Sequence, residues 1–279
     1  MTDASDGTDT GTRHVDGLVP VTEDHLAPIR QLSPARTLVG RAGNSYPTRA
    51  LLSLRADHAA ARDAVLSRVG LEMPAWNELR AHGLFEVASQ APTPEDHLLR
   101  PRLGRRLSDQ AKEALAQRCV AGADVQIVLG DGLSAQALAA QAPALVAALV
   151  PRVAARGWSL GTTFFVRHCR VDIMNDIGAL LRPRFIALLI GERPGLRTAL
   201  SLSAYLAYQP TAGHSNADRN LISNIHAEGV QITDAADRIL DLFAEMDRKD
   251  ASGVMVKEPS RPRAVGQVMD AEGEITGIQ

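Results

Sequence analysis

The sequence predicts an α/β protein built on a doubly wound parallel sheet with an N-terminal helical extension. Three observations carry this. The runs "VQIVLG" (125–130) and "FIALLI" (185–190) are apolar without alternation, as strands covered on both faces are. Helical patterns alternate with such runs between 108 and 190. The composition is 45% hydrophobic but only 4% aromatic, and rich in alanine, which suits close-packed helices better than an all-β sandwich. A chain of 279 residues holds one large domain or two modest ones.

Taken in order, residues 1–30 are polar and acidic with little periodicity, and predict a mobile N-terminal arm. Residues 31–107 predict a helical region. Gly40 and Gly43 punctuate a turn, and Pro47 suits the first turn of a helix. Leu51, Leu54, His58, Ala61, Val65 and Val69 recur at helical spacing, and a second helical segment surrounds Trp76–His82. "APTPEDHLLRPRLGRRLS" reads as a proline-containing, basic connection.

The sheet domain is expected over 108–252. Ser108 is placed to cap a helix over 109–121. "VQIVLGDGLS" is a buried strand ending in a tight turn, and Ser134 caps the next helix despite Pro143. "TTFFVRHCRV" (162–171) predicts a strand, "NDIGALL" (175–181) a short helix, and "FIALLI" the next strand. Asp234 to Lys249 predicts an amphipathic helix with Ala235, Ile239, Leu242, Phe243 and Met246 on one side. The polar residues 253–279 predict a loose tail.

Composition excludes several classes. A net charge of −2 lacks the basic field of a nucleic-acid binder. No uninterrupted apolar stretch reaches the ~18 residues of a membrane span. "MTDASDGTDTGT" does not resemble a secretory signal, so a cytoplasmic location is expected. Cys119 and Cys169 form no CxxC pair and read as buried thiols in a reducing compartment.

Ligands of open α/β sheets bind beyond the carboxyl ends of the strands. "GDGLS" and "GERPGL" both fall there, which puts Glu192 and Arg193 at a candidate ligand crevice where Gly191 and Gly195 allow close backbone approach. No nucleotide fingerprint is complete: GxxxxGK[ST] is absent, and neither "GRAG" nor "GDGLS" makes GxGxxG. HExxH and GxSxG are also absent. His168 and Cys169, adjacent on an expected strand, would face opposite sides and share no metal ion. Arg100, Arg102, Arg105 and Arg106 suit either intramolecular ion pairs or a partner or phosphate contact. "ADRNLISNI" is richer in hydrogen-bonding side chains (Asp218, Arg219, Asn220, Ser223, Asn224) than a plain connection requires. A turn that caps the final helical region, or a ligand site, would each account for it. The residues alone are compatible with an enzyme subunit or with a non-catalytic α/β binding or scaffold protein for a nucleotide-like ligand.

Seven stretches together carry a resemblance. "VGRAG…PTRALLSLRADHAAARDAV", "RPRLGRRLS", "VQIVLGDGLS", "GTTFFVRHCRV", "LLIGERPGL", "LSAYLAYQP" and "ADRNLISNIHAEG" occur in the order and near the spacing found in the small (light) subunit of ethanolamine ammonia-lyase. The resemblance runs from about Ala35 to about Gly253. It implies a Rossmann-like layer that closes over adenosylcobalamin against a large subunit, a TIM barrel holding the substrate site, in a hetero-oligomer that converts ethanolamine to acetaldehyde and ammonia. It implies no catalytic residue on this chain and three cofactor-facing residues. Glu192 would accept a corrin amide, and Val171 would face the cofactor. Leu221 stands where the family carries a cysteine. A DxHxxG motif is absent, because Asp24-His25, Asp57-His58 and Asp96-His97 have the wrong spacing; the cofactor is therefore expected to keep its own lower base, with no metal ligand from this chain. The resemblance also raises packaging in a bacterial microcompartment.

Overall fold

The computed structural model describes Pro28 and residues 39–195 and 198–259. It divides into two units, 1–47 and 48–279. The described part of the first holds a tight turn in which Ala42 and Ser45 exchange backbone hydrogen bonds, with Gly40 and Gly43 in left-handed backbone. Apart from Pro28, the expected N-terminal arm lies outside the described residues, as do residues 260–279 of the expected tail.

The second unit orders its elements as α1 (Thr48–Leu66), α2 (Asn77–Ala81), β1 (Phe85–Ala88), α3 (Pro94–Leu99), α4 (Asp109–Arg118), β2 (Val125–Gly130), α5 (Ala135–Ala155), β3 (Phe164–Arg167), α6 (Ile173–Leu181), β4 (Phe185–Gly191), β5 (Leu202–Tyr208), β6 (Asn220–Ile225) and α7 (Ile232–Lys249). The six strands form one sheet in the order β1-β3-β2-β4-β5-β6.

The expected parallel sheet is corrected here to a mixed one. β1, β3, β2 and β4 run parallel, but β5 is antiparallel to β4, and β6 to β5. A parallel neighbour needs a crossover of a dozen or more residues. Only residues 192–201 join β4 to β5, with no helix among those described, so the chain turns straight back.

Both faces of the sheet are covered, as the unbroken apolar runs require. Ile127, Leu129, Phe185, Ala187 and Leu189 pack with α5 and α7 on one side. Val128, Ile186, Leu188 and Ile190 pack with α4 and α6 on the other. The period-2 geometry of a strand sends successive residues of one run into two different cores. α5 is long and apolar enough to span a bilayer, yet eight of its residues are buried in the core. It passes through both Pro143 and Pro151.

The two serine caps form as expected: Ser108 accepts from Ala111 N–H at 3.1 Å, and Ser134 from Ala137 N–H at 3.1 Å. Other expectations change. The strand foreseen over 162–171 is confined to Phe164–Arg167. His168 leaves it in left-handed backbone, φ 56°, so His168 and Cys169 are not strand neighbours. The region expected to be helical supplies the edge strand β1. The polar stretch "NLISNI" is a strand, not a turn. α1 buries only Ala64, and Leu51 and Leu52 on it are exposed. Cys169 is buried, but Cys119 is half-buried, with burial raising its thiol to about 11.

The basic cluster is resolved largely by ion pairs. Arg100 meets Asp96 at 3.4 Å, Arg105 meets Asp172 at 3.2 Å and Arg106 meets Asp176 at 2.6 Å. The last two fasten the segment after α3 onto the start of α6.

Candidate functional site: a crevice at the carboxyl edge of the sheet

The expected crevice exists. Chain segments leaving β2, β3 and β4 converge with β5 and β6 around a cavity of about 430 Å³. Val171, Glu192 and Leu221 all line it, so the structure brings the three sequence-predicted residues together. Arg170, Arg193, Ser203, Tyr205 and Ser223 share the lining.

Glu192 follows the last residue of β4. Its backbone N–H donates to Ser201 C=O at 3.1 Å, which anchors the turn. Its Oε1 accepts from Ser203 Oγ and from the backbone N–H of Asn224, both at 2.8 Å. The second contact depends on a β-bulge. Leu202 pairs with Ile225 and Ala204 with Ile222, so Ser203 alone faces both Ser223 and Asn224. Asn224 takes left-handed backbone, φ 62°, and its Oδ1 lies 2.8 Å from His226 Nε2. The bulge thus turns a strand N–H onto the carboxylate and fixes its direction. Among the described residues no donor is seated on Oε2.

The loop after β2 is positioned by Asp131. Its Oδ2 accepts His168 N–H and its Oδ1 accepts Cys169 N–H, each at 2.8 Å. Two charge-assisted bonds to consecutive amides pull the chain off β3 into the left-handed turn and aim Arg170 and Val171 at the crevice. Glycines permit the close packing around it. A Cβ at Gly191 would lie 2.1 Å from Ser134 C=O, and one at Gly132 would lie 2.3 Å from Gly191 C=O. Leu133 N–H donates to Gly191 C=O at 3.1 Å, which joins the two loops directly.

A second layer lies behind Arg170. Its N–H donates to Gly104 C=O and its Nη2 to His97 C=O, both at 2.8 Å. His97, buried, meets Gly132 C=O through Nε2 at 2.7 Å, so that nitrogen carries the proton. Its Nδ1 has no partner among the described residues. Burial, then the Arg170 charge, hold His97 below its ordinary value. Arg219 is buried beneath the other side, bonded to Asp172 at 2.6 Å, Asn216 at 2.8 Å and Asn175 at 2.9 Å.

Several of these residues escape sequence reading. Asp131 reads as a turn residue, although a carboxylate between two glycines at a strand end is a usable signal. Arg170 and Ser203 carry no local one; Asn224 lies in the polar stretch singled out by sequence, but it acts through its backbone N–H, not through the side chain that marks it.

Fold and crevice define an α/β protein on a mixed sheet with a cavity at the carboxyl edge of its parallel strands, where the parallel half of the sheet meets the antiparallel half. The profile of the ethanolamine ammonia-lyase light chain (EutC) matches residues 23–257. The chain is 43% identical over 238 residues to the ethanolamine ammonia-lyase small subunit of Rhodopseudomonas palustris (strain BisA53), covering 84% of this chain and 90% of that protein. This chain belongs to the ethanolamine ammonia-lyase light-chain family.

Proposed function

We propose that this chain is the small subunit of an adenosylcobalamin-dependent ethanolamine ammonia-lyase. It lines and covers the cofactor while a large subunit carries the substrate site, and it is inactive alone. The single observation that carries the reading is Glu192: a carboxylate aimed by two donors into a crevice whose walls include Val171 and Leu221, the latter 46% exposed.

These residues fit a corrinoid. A corrin presents apolar ring faces and a rim of neutral amides. An ionised carboxylate only accepts hydrogen bonds, so it selects amide N–H groups over carbonyls. Glu192 would hold one such amide, with its orientation set by Ser203 and Asn224. Val171 and Leu221 would pack against the ring. Leu221 offers no thiol, so its contribution is van der Waals contact and exclusion of water. Bound adenosylcobalamin would supply the homolytic cobalt–carbon chemistry that opens the conversion of ethanolamine to acetaldehyde and ammonia. This chain supplies no cobalt ligand. The enzyme works in the cytoplasm, free or within a bacterial microcompartment.

The test is reconstitution. Acetaldehyde release from ethanolamine is measured for this chain, for its cognate large subunit, and for the mixture, each with adenosylcobalamin. Activity only in the mixture is expected. Full activity from the large subunit alone, or none in a mixture whose large subunit is folded and binds cobalamin, overturns the proposal.

A further inference from the structure

We propose that Arg170 and Arg193 form an anion subsite in this crevice and hold the phosphodiester of the corrinoid's nucleotide loop. The inference rests on the cofactor reading above and assigns it a second polar contact of opposite sign to Glu192.

Arg170 and Arg193 both line the cavity. Arg170 is half-buried and rigidly mounted. Two hydrogen bonds fix it to Gly104 and His97, and a Cβ at Gly104 would come within 2.7 Å of its Cγ. Its Nε is buried with no partner among the described residues. Arg193, exposed on the loop after β4, stands close enough for its charge to act on Arg170. Burial first, then Arg193 and Arg105, lower the Arg170 guanidinium from its ordinary value.

The neighbouring carboxylates each hold other donors. Asp131 holds the amides of His168 and Cys169. Asp172 pairs with Arg105 and Arg219. Glu192 Oε1 takes Ser203 and Asn224. Among the described residues neither Arg170 nor Arg193 has a carboxylate in ion-pair contact. Two like charges on residues of one cavity repel each other, and an anion between them relieves that repulsion. Planar guanidinium forks match phosphate oxygens. A cobalamin carries one phosphodiester, and its rim amides are neutral. The crevice thus offers an acceptor for the amide and donors for the phosphate.

The experiment uses the complex of this chain with its large subunit. Dissociation constants are measured for cyanocobalamin and for dicyanocobinamide, which lacks the phosphodiester, with Arg193→Gln against the unaltered protein. Arg193 is exposed, and among the described residues its side chain is in no hydrogen bond or ion pair, so the variant chiefly removes the charge. We expect cyanocobalamin to weaken about tenfold or more, cobinamide to hold its affinity, and inorganic phosphate to compete with cyanocobalamin only in the unaltered complex. Arg170→Lys, which keeps charge but loses the fork, should weaken cyanocobalamin selectively as well. Equal changes for both corrinoids, or no change for either, overturn the subsite and leave the cofactor reading standing. Failure of the unaltered complex to bind either corrinoid overturns the cofactor reading and the subsite with it.

Discussion

The backbone N–H of Asn224 donates to Glu192 Oε1 at 2.8 Å, across 32 residues of sequence, because Asn224 sits in left-handed backbone at a bulge in β6. The direction of the crevice carboxylate is therefore set by a backbone conformation. A β-branched residue tolerates that conformation poorly, whereas glycine adopts it freely. Asn224→Val should destabilise the chain by about 1–3 kcal/mol and weaken corrinoid binding. Asn224→Gly should keep the binding. Urea midpoints and corrinoid dissociation constants for the two variants check this.

Asp131 does the corresponding work on the other wall. Removing its carboxylate leaves the amides of His168 and Cys169 without their acceptors. Asp131→Ala should cost about 2–4 kcal/mol, and Asp131→Asn, which keeps one carbonyl acceptor, clearly less. Urea unfolding gives both values.

His97 makes the crevice acid-sensitive. Its folded form is held below the ordinary 6.5 by burial and Arg170, so the unfolded chain takes up the proton first. Stability is unaffected by this group well above that value and falls as pH drops through about 6.5. His97→Gln, whose amide can still donate to Gly132 C=O, should flatten this part of the profile. Unfolding midpoints of the variant and the unaltered chain between neutral pH and pH ~5 provide the comparison.

Part of this was legible in the sequence. β2 and β4 show as unalternating apolar runs because both their faces are covered, and Ser108 and Ser134 announce their helices through capping chemistry. The mixed sheet is not legible from strand composition: "LSAYLAY" and "NLISNI" carry no sign of direction, and the absent crossover between 192 and 201 is the only clue. β6 is obscured further by its polar outer face and by the bulge, which breaks the period of two that marks a strand. Within the site, Glu192, Val171 and Leu221 are reachable through the family resemblance and do share one cavity. Asp131, Ser203 and Asn224 act through contacts 11 to 38 residues away in sequence, which no local pattern displays.

The central claim is that Glu192 faces a corrinoid. Its most direct test is the affinity of the two-subunit complex for cobalamin with Glu192→Ala against the unaltered chain. A loss of about 1–3 kcal/mol, the range for a charge-assisted hydrogen bond, is the predicted result. Unchanged cobalamin affinity in a folded complex would remove Glu192 from the site and contradict the account.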